Sequence, residues 1–182
     1  MITEYKELSV GQCFRLWDFY AKTFSPLMEQ AMQAQMMEAD EFLHMCVDDR
    51  VTKILAHEPV VPSTAPPVIK GMAVAIDQPH LDAWPLYSEP YIAKHWPEEY
   101  ARGAVRIIGC VGTDRTPGVF QELLDALAAP VREKRGVAFM DFCTEKINQG
   151  VFEAALRHAK SGDPLAGYRA VDQQHYNAIY YS

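Results

Sequence analysis

The sequence predicts one α+β domain organised around a sheet of six to seven strands. Three observations carry this. Segments that alternate or run apolar over strand lengths are interspersed with segments whose apolar residues recur at helical spacing. A length of 182 residues suits a single domain, residues 1–182, with a real core. The order reads strand, two helices, three strands, helix, strand, helix, two strands, with no internal repeat and no low-complexity tract.

Ile2 to Leu8 alternates and reads as an edge strand. Ser9-Val10-Gly11-Gln12 marks a helix start, with Ser9 as N-cap and Gln12 three residues on. Phe14, Trp17, Phe19-Tyr20 and Phe24 form the apolar face that follows. Pro26 opens a second helical stretch in which Met28, Met32 and Met36-Met37 line one side, as core or as a subunit contact. Phe42-Leu43, Cys46-Val47, Val51 and Ile54 continue at helical spacing. Lys53 to Val61 reads as a strand, and Pro59, Pro62, Pro66 and Pro67 mark a loop after it. Val68 to Ile76 is a well-formed strand. An aromatic and Pro-rich insertion then spans about 77–103, and its four prolines exclude one regular element.

The apolar run from Val105 reads as a strand, and a short Gly-containing loop with Arg115 follows it, its Thr113 to Val119 presenting several backbone N–H groups. Gln121-Glu122-Leu123-Leu124-Asp125-Ala126-Leu127 continues as an amphipathic helix to about Arg135, with a kink expected at Pro130 and a stop at Gly136. Val137 to Phe142 is the next strand, and Glu145 to Lys160 the next helix. Tyr168 to Val171 and His175 to Tyr181 form the expected final strand pair.

Composition narrows the function. The chain is 49% hydrophobic and 23% charged, with a net charge of -7. An acidic balance argues against a general nucleic-acid binder and suits a cationic substrate. Cys13, Cys46, Cys110 and Cys143 contain no CxxC pair, and three sit in apolar surroundings, as expected of buried thiols in a reducing compartment. No apolar run has the length of a membrane span. Met1 to Tyr5 lacks the features of a signal peptide, so the cytoplasm is the expected location.

The stretch from Val105 to Phe120 carries the chemistry. Free N–H groups at a helix start point outward, and the helix dipole favours an anion there. Gly118 lets backbone approach a ligand closely, Arg115 adds a charge-assisted contact, and Pro117 suits the first helical turn. Arg115-Thr116-Pro117-Gly118-Val119-Phe120 resembles the cofactor motif of the GNAT superfamily of acyl-CoA-dependent N-acyltransferases. Leu123 and Leu124 match its following apolar positions, and Val137 to Phe142 matches its next strand. The resemblance implies a divergent GNAT-like αβα sandwich around a mixed, mostly antiparallel sheet. It implies acetyl-CoA as acyl donor, with no metal, and Cys110, Val111, Arg115, Thr116, Gly118, Val119 and Asn148 as cofactor contacts. The implied partners are a CoA thioester and an amine, whether small molecule, nucleobase or protein lysine. A homodimer stays open, and no membrane is expected.

The sequence departs from the family in three places, one of them after the helix, where Ala159-Lys160 stands near the family's Gly-Phe. Phe120 stands where a very small side chain is usual, and Ala155 stands where a helix tyrosine would serve as acid. Candidate replacements for the acid are Tyr168, Tyr176 and Tyr180. An attacking amine must lose a proton, and Asp141, Glu145, Asp77 and His80 are the candidate bases. In the insertion, His80, Trp84 and Tyr87 are candidate acceptor-binding residues, since rings with polar tips suit a substrate wall. Two other readings exist. A GNAT-like fold without catalysis would be a binding or inhibitory protein. His80-Leu81-Asp82 with His158 has the ligand types of a non-haem iron site, with Arg169 as an oxoacid anchor, but that site requires a double-stranded β-helix.

Overall fold

A computed structural model of the chain describes residues 1–30, 36–58, 66–84, 86–142, 144–163, 166–167 and 170–171. Five strands, β1 (Ile2–Tyr5), β2 (Val51–His57), β3 (Ile69–Asp77), β4 (Val105–Thr113) and β5 (Val137–Phe139), lie side by side in chain order. The first four are antiparallel neighbours and β5 runs parallel to β4, so the sheet is mixed. The helices are α1 (Val10–Phe24), α2 (Leu27–Gln30), α3 (Ala39–Val47), α4 (Glu89–His95), α5 (Pro97–Ala101), α6 (Val119–Glu133), α7 (Thr144–Asn148) and α8 (Val151–Gly162).

The central strands are buried on both faces, which is why β2 and β3 read as near-continuous apolar runs. On one face Leu16, Tyr20 and Phe24 of α1 and Phe42 and Cys46 of α3 pack on Leu55, Met72, Val74 and Ile107. On the other, Val119, Leu123, Leu124 and Leu127 of α6 pack on Ile54, Ala73, Ala75 and Ile108. This second face also receives α8 through α6. The start of α1 is capped as expected, with Gln12 Oε1 accepting from the Ser9 N–H at 2.9 Å. Lys53 is fully buried in β2, and its Nζ donates to the carbonyls of Lys6, Asp48 and Val51 at 2.5, 2.6 and 3.0 Å.

Several expectations need correction. Val51 and Ile54 belong to β2, not to a helix. A strand buried on both faces loses strict alternation, so helical spacing and strand cannot be told apart there. Lys53 to Val61 is a strand only as far as His57, and 59–65 lie outside the described residues. Met28 is exposed, Met36 and Met37 pack against the core, and Met32 lies outside the described residues. The helix expected from Glu145 to Lys160 divides into α7 and α8, where Gly150 takes φ +74°. Pro130 lies inside α6, which continues to Glu133. The sheet has five strands rather than six to seven among the described residues; of the final pair, 168–169 and 172–182 lie outside them. Cys13 and Cys46 are buried and reduced, Cys110 is half-buried and reduced, and Cys143 lies outside the described residues.

Candidate active site

The sheet opens between β4 and β5. Their parallel pairing covers Val105↔Val137, Arg106↔Ala138 and Ile107↔Phe139, and there β5 ends. β4 runs on for six more residues, Ile108 to Thr113, paired with β3 on its other edge. At the strand rise of about 3.3 Å per residue this leaves a strand edge of roughly 20 Å without a strand partner among the described residues. Such an edge presents N–H and C=O groups to any extended polar chain.

A bulge sits just past the fork. Val74 pairs with Cys110 and Ala75 with Ile108, so β4 carries one extra residue, Gly109. The bulge turns Gly109 and Cys110 toward the same face, where a Cβ on Gly109 would lie 2.7 Å from Trp84 Cζ2. Only glycine lets the Trp84 indole lie against the strand at this point. Trp84 is 8% exposed, and its Nε1 has no hydrogen-bond partner among the described residues.

The far end of the open edge leads into the loop before α6. The Asp114 N–H donates to the Lys70 carbonyl at 2.9 Å, and the Thr116 N–H donates to Asp114 Oδ1 at 2.9 Å. Lys70 Nζ lies 3.3 Å from Asp114 Oδ2 and offsets its charge. Hydrogen bonding from Thr116, opposed by partial desolvation and aided by Lys70, holds the Asp114 carboxyl below its ordinary pKa. Arg115 is exposed with φ +70°, and Gly118 caps α6 at φ +84°. Among the described residues nothing lies within 4 Å of where a Gly118 Cβ would stand. The Val119 N–H donates to the Thr116 carbonyl at 3.3 Å, and the amides of Phe120 and Gln121 have no preceding helical carbonyl to bond. Phe120 is half-buried and packs into the α6 face of the core.

The insertion folds over the fork. It forms a 3-10 turn (Leu81–Ala83), α4 and α5. Trp96 packs edge-on against Phe139 of β5 with ring centroids 4.7 Å apart, and Gln78 Nε2 donates to the Tyr100 carbonyl at 2.9 Å. Tyr100 donates from its hydroxyl to the Glu89 carboxylate. This packing carries Tyr87 to the fork, where its hydroxyl donates to Asp141 Oδ1 at 3.2 Å. Burial pushes the Tyr87 phenol pKa up, and the Asp141 charge adds to the effect. Burial likewise pushes the Cys110 thiol up to about 12, with a further contribution from Asp141. Asp141, two residues beyond the end of β5, therefore stands near both Tyr87 and the bulge.

No protein-family model and no curated protein sequence matches the chain. Solved structures do. An aminoglycoside acetyltransferase from an uncultured soil metagenomic sample, solved with trehalose, superposes with a TM-score of 0.53 at 13% identity, covering 98% of this chain and 96% of that one. The same acetyltransferase solved with sisomicin gives the same values: TM-score 0.53, 13% identity, 98% and 96% coverage. A ribosomal-protein-alanine N-acetyltransferase from Brucella melitensis biovar Abortus 2308 aligns over 99% of each chain at 15% identity with a TM-score of 0.46. The chain has the GNAT fold.

Within this GNAT fold the candidate residues fall into three groups. Cys110 and Val111 lie on the open part of β4, and Arg115, Thr116, Gly118 and Val119 form the loop and the start of α6. Trp84, Tyr87 and Asp141 gather at the fork. The remainder stand apart or outside. Asn148 is exposed at the end of α7. His80 is exposed at the start of the 3-10 turn, its N–H donating to the Asp77 carbonyl at 2.8 Å. Glu145 lies on α7, but its side chain and all of Tyr168, Tyr176 and Tyr180 lie outside the described residues. Ala155 is half-buried against the α6 face of the core.

Two readings of the sequence are overturned. Asp77 is not a free base: Arg106 Nε and Nη2 donate to its two oxygens at 2.6 and 2.8 Å. The iron-site reading also fails. Asp82 pairs with Arg50 at 2.9 Å, and His158 Nε2 lies 3.0 Å from Asp125 on α6. The 3-10 turn packs on the α1 face while α8 packs through α6 on the opposite one, so the proposed ligands do not converge. Arg169 lies outside the described residues. Sequence reasoning missed Gly109 as a bulge. Its signal was a glycine inside an otherwise apolar strand.

Proposed function

We propose that this chain transfers an acyl group, acetyl in the simplest case, from an acyl-CoA thioester to an amine. The observation that carries the reading is the open edge of β4 leading into the glycine-capped start of α6. An acyl-CoA has a pyrophosphate, an extended arm with two amide groups and a thioester at the far end. The first-turn amides of α6, with Gly118, Thr116, Val119 and Arg115, suit the pyrophosphate. The edge from Ile108 to Thr113, including Cys110 and Val111, suits the amide-bearing arm. In this reading the arm ends at the fork, beside Gly109, Trp84, Tyr87 and Asp141.

Asp141 is the base of this proposal. Its carboxylate is exposed beside the expected thioester position and takes the proton the amine must shed. A net charge of -7 supports a cationic acceptor, and the aminoglycoside seen with the structural neighbour belongs to that chemistry. Thermal unfolding with and without acetyl-CoA, followed by thiol release over polyamines, aminoglycosides and N-terminal peptides, tests the reading. Binding raises the melting temperature by mass action, equivalent to about 2.7 kcal/mol at a hundredfold excess over the Kd. No shift at saturating acetyl-CoA contradicts the proposal. A shift with no turnover on any amine favours a binding protein of the same fold.

A further inference from the structure

The insertion delivers one hydroxyl to the fork, and acyl transfer leaves one proton task there unassigned. We infer that Tyr87 is a catalytic residue that protonates the leaving CoA thiolate and is itself reprotonated by Asp141. This rests on the acyl-CoA reading above.

Three observations place Tyr87 in that role. Its hydroxyl is bonded to Asp141 at 3.2 Å, so a proton can pass between the two oxygens. Asp141 follows the end of β5 by two residues, where β4 and β5 part, and its charge reaches Cys110 beside the Gly109 bulge. Burial keeps the phenol protonated at ordinary pH, so it holds a proton to give.

The step balances. The amine nitrogen forms its bond to the thioester carbonyl carbon and gives a proton to Asp141. The C–S bond then breaks, its electron pair goes to sulfur, and the sulfur takes the Tyr87 proton. The phenolate takes the proton held by Asp141. The net result moves one proton from the amine to the CoA thiol and restores both side chains. Neutral Asp141 also removes the charge that opposes ionisation of Tyr87, so the phenol is a better acid when it is needed.

The test titrates the thiol of CoA bound to the protein by ultraviolet thiolate absorbance, with calorimetric CoA binding on the same samples. A hydroxyl that donates to sulfur stabilises the thiolate. Tyr87→Phe is therefore expected to raise the bound thiol pKa by about one unit while CoA still binds. Asp141→Asn removes a nearby negative charge and is expected to lower it. A structural role for the pair would not move the two variants in opposite directions. An unchanged thiol pKa in Tyr87→Phe with CoA bound overturns the relay alone. Failure of the unmodified protein to bind CoA overturns the acyl-CoA reading, and the relay with it.

Discussion

Arg106 lies on β4 with 4% of its surface exposed, and its guanidinium donates to both oxygens of Asp77 and to the Leu127 carbonyl at 3.0 Å. Those bonds settle what Asp77 can do. Burial raises the Asp77 pKa, but the Arg106 hydrogen bonds and charge outweigh it and hold the carboxyl below its ordinary value. A depressed folded-state pKa means stability that is present above the unfolded value, about 3.9, and lost as pH falls through the folded one. Asp77→Asn should cost about 1–3 kcal/mol near neutral pH, the lower end reflecting the partly exposed Asp77 side chain. Urea unfolding across pH checks this: the gap between the two proteins should close below about pH 4. A gap that stays constant into acid would mean that the pair does not act through charge. The contrast with Asp141 is physical. Asp141 has a hydroxyl neighbour at the open fork, whereas Asp77 is bound to a cation at the closed end of β3.

At the scale of elements, the bulge in β4 is what shapes the fork. Gly109 sits at contact with Trp84, and a methyl group there would lie 2.7 Å from the indole. Gly109→Ala should cost about 1–3 kcal/mol by overpacking and change tryptophan fluorescence as the ring moves. Unchanged stability and fluorescence would show that the indole does not rest on the bulge. The strand at Ile69–Asp77, the capped start of α1 and the strand–loop–helix from Val105 were all legible in the sequence, because local patterning and short-range capping specify them. Where β4 and β5 part was not legible. It depends on β5 ending at Phe139, although its apolar character continues to Met140 and Phe142. Nor was the meeting of Tyr87 with Asp141, which are 54 residues apart in sequence and come together through the packing of the insertion, with Trp96 on Phe139.

For the whole molecule, the sheet, the α6 face and the insertion form one arrangement around the same open edge. The comparison with acetyltransferases of 13% identity shows the fold, and the chemistry rests on what this chain places along that edge. No described helix is long and apolar enough to cross a membrane. The central claim is that an acyl-CoA lies along β4 and reaches the start of α6. Hydrogen exchange with and without CoA measures this directly, because each strand-edge amide that pairs with the ligand is protected. The account predicts slowed exchange confined to residues 108–121 and the fork, with α1 and α3 unchanged. Saturating CoA that leaves residues 108–121 exchanging as before would contradict it.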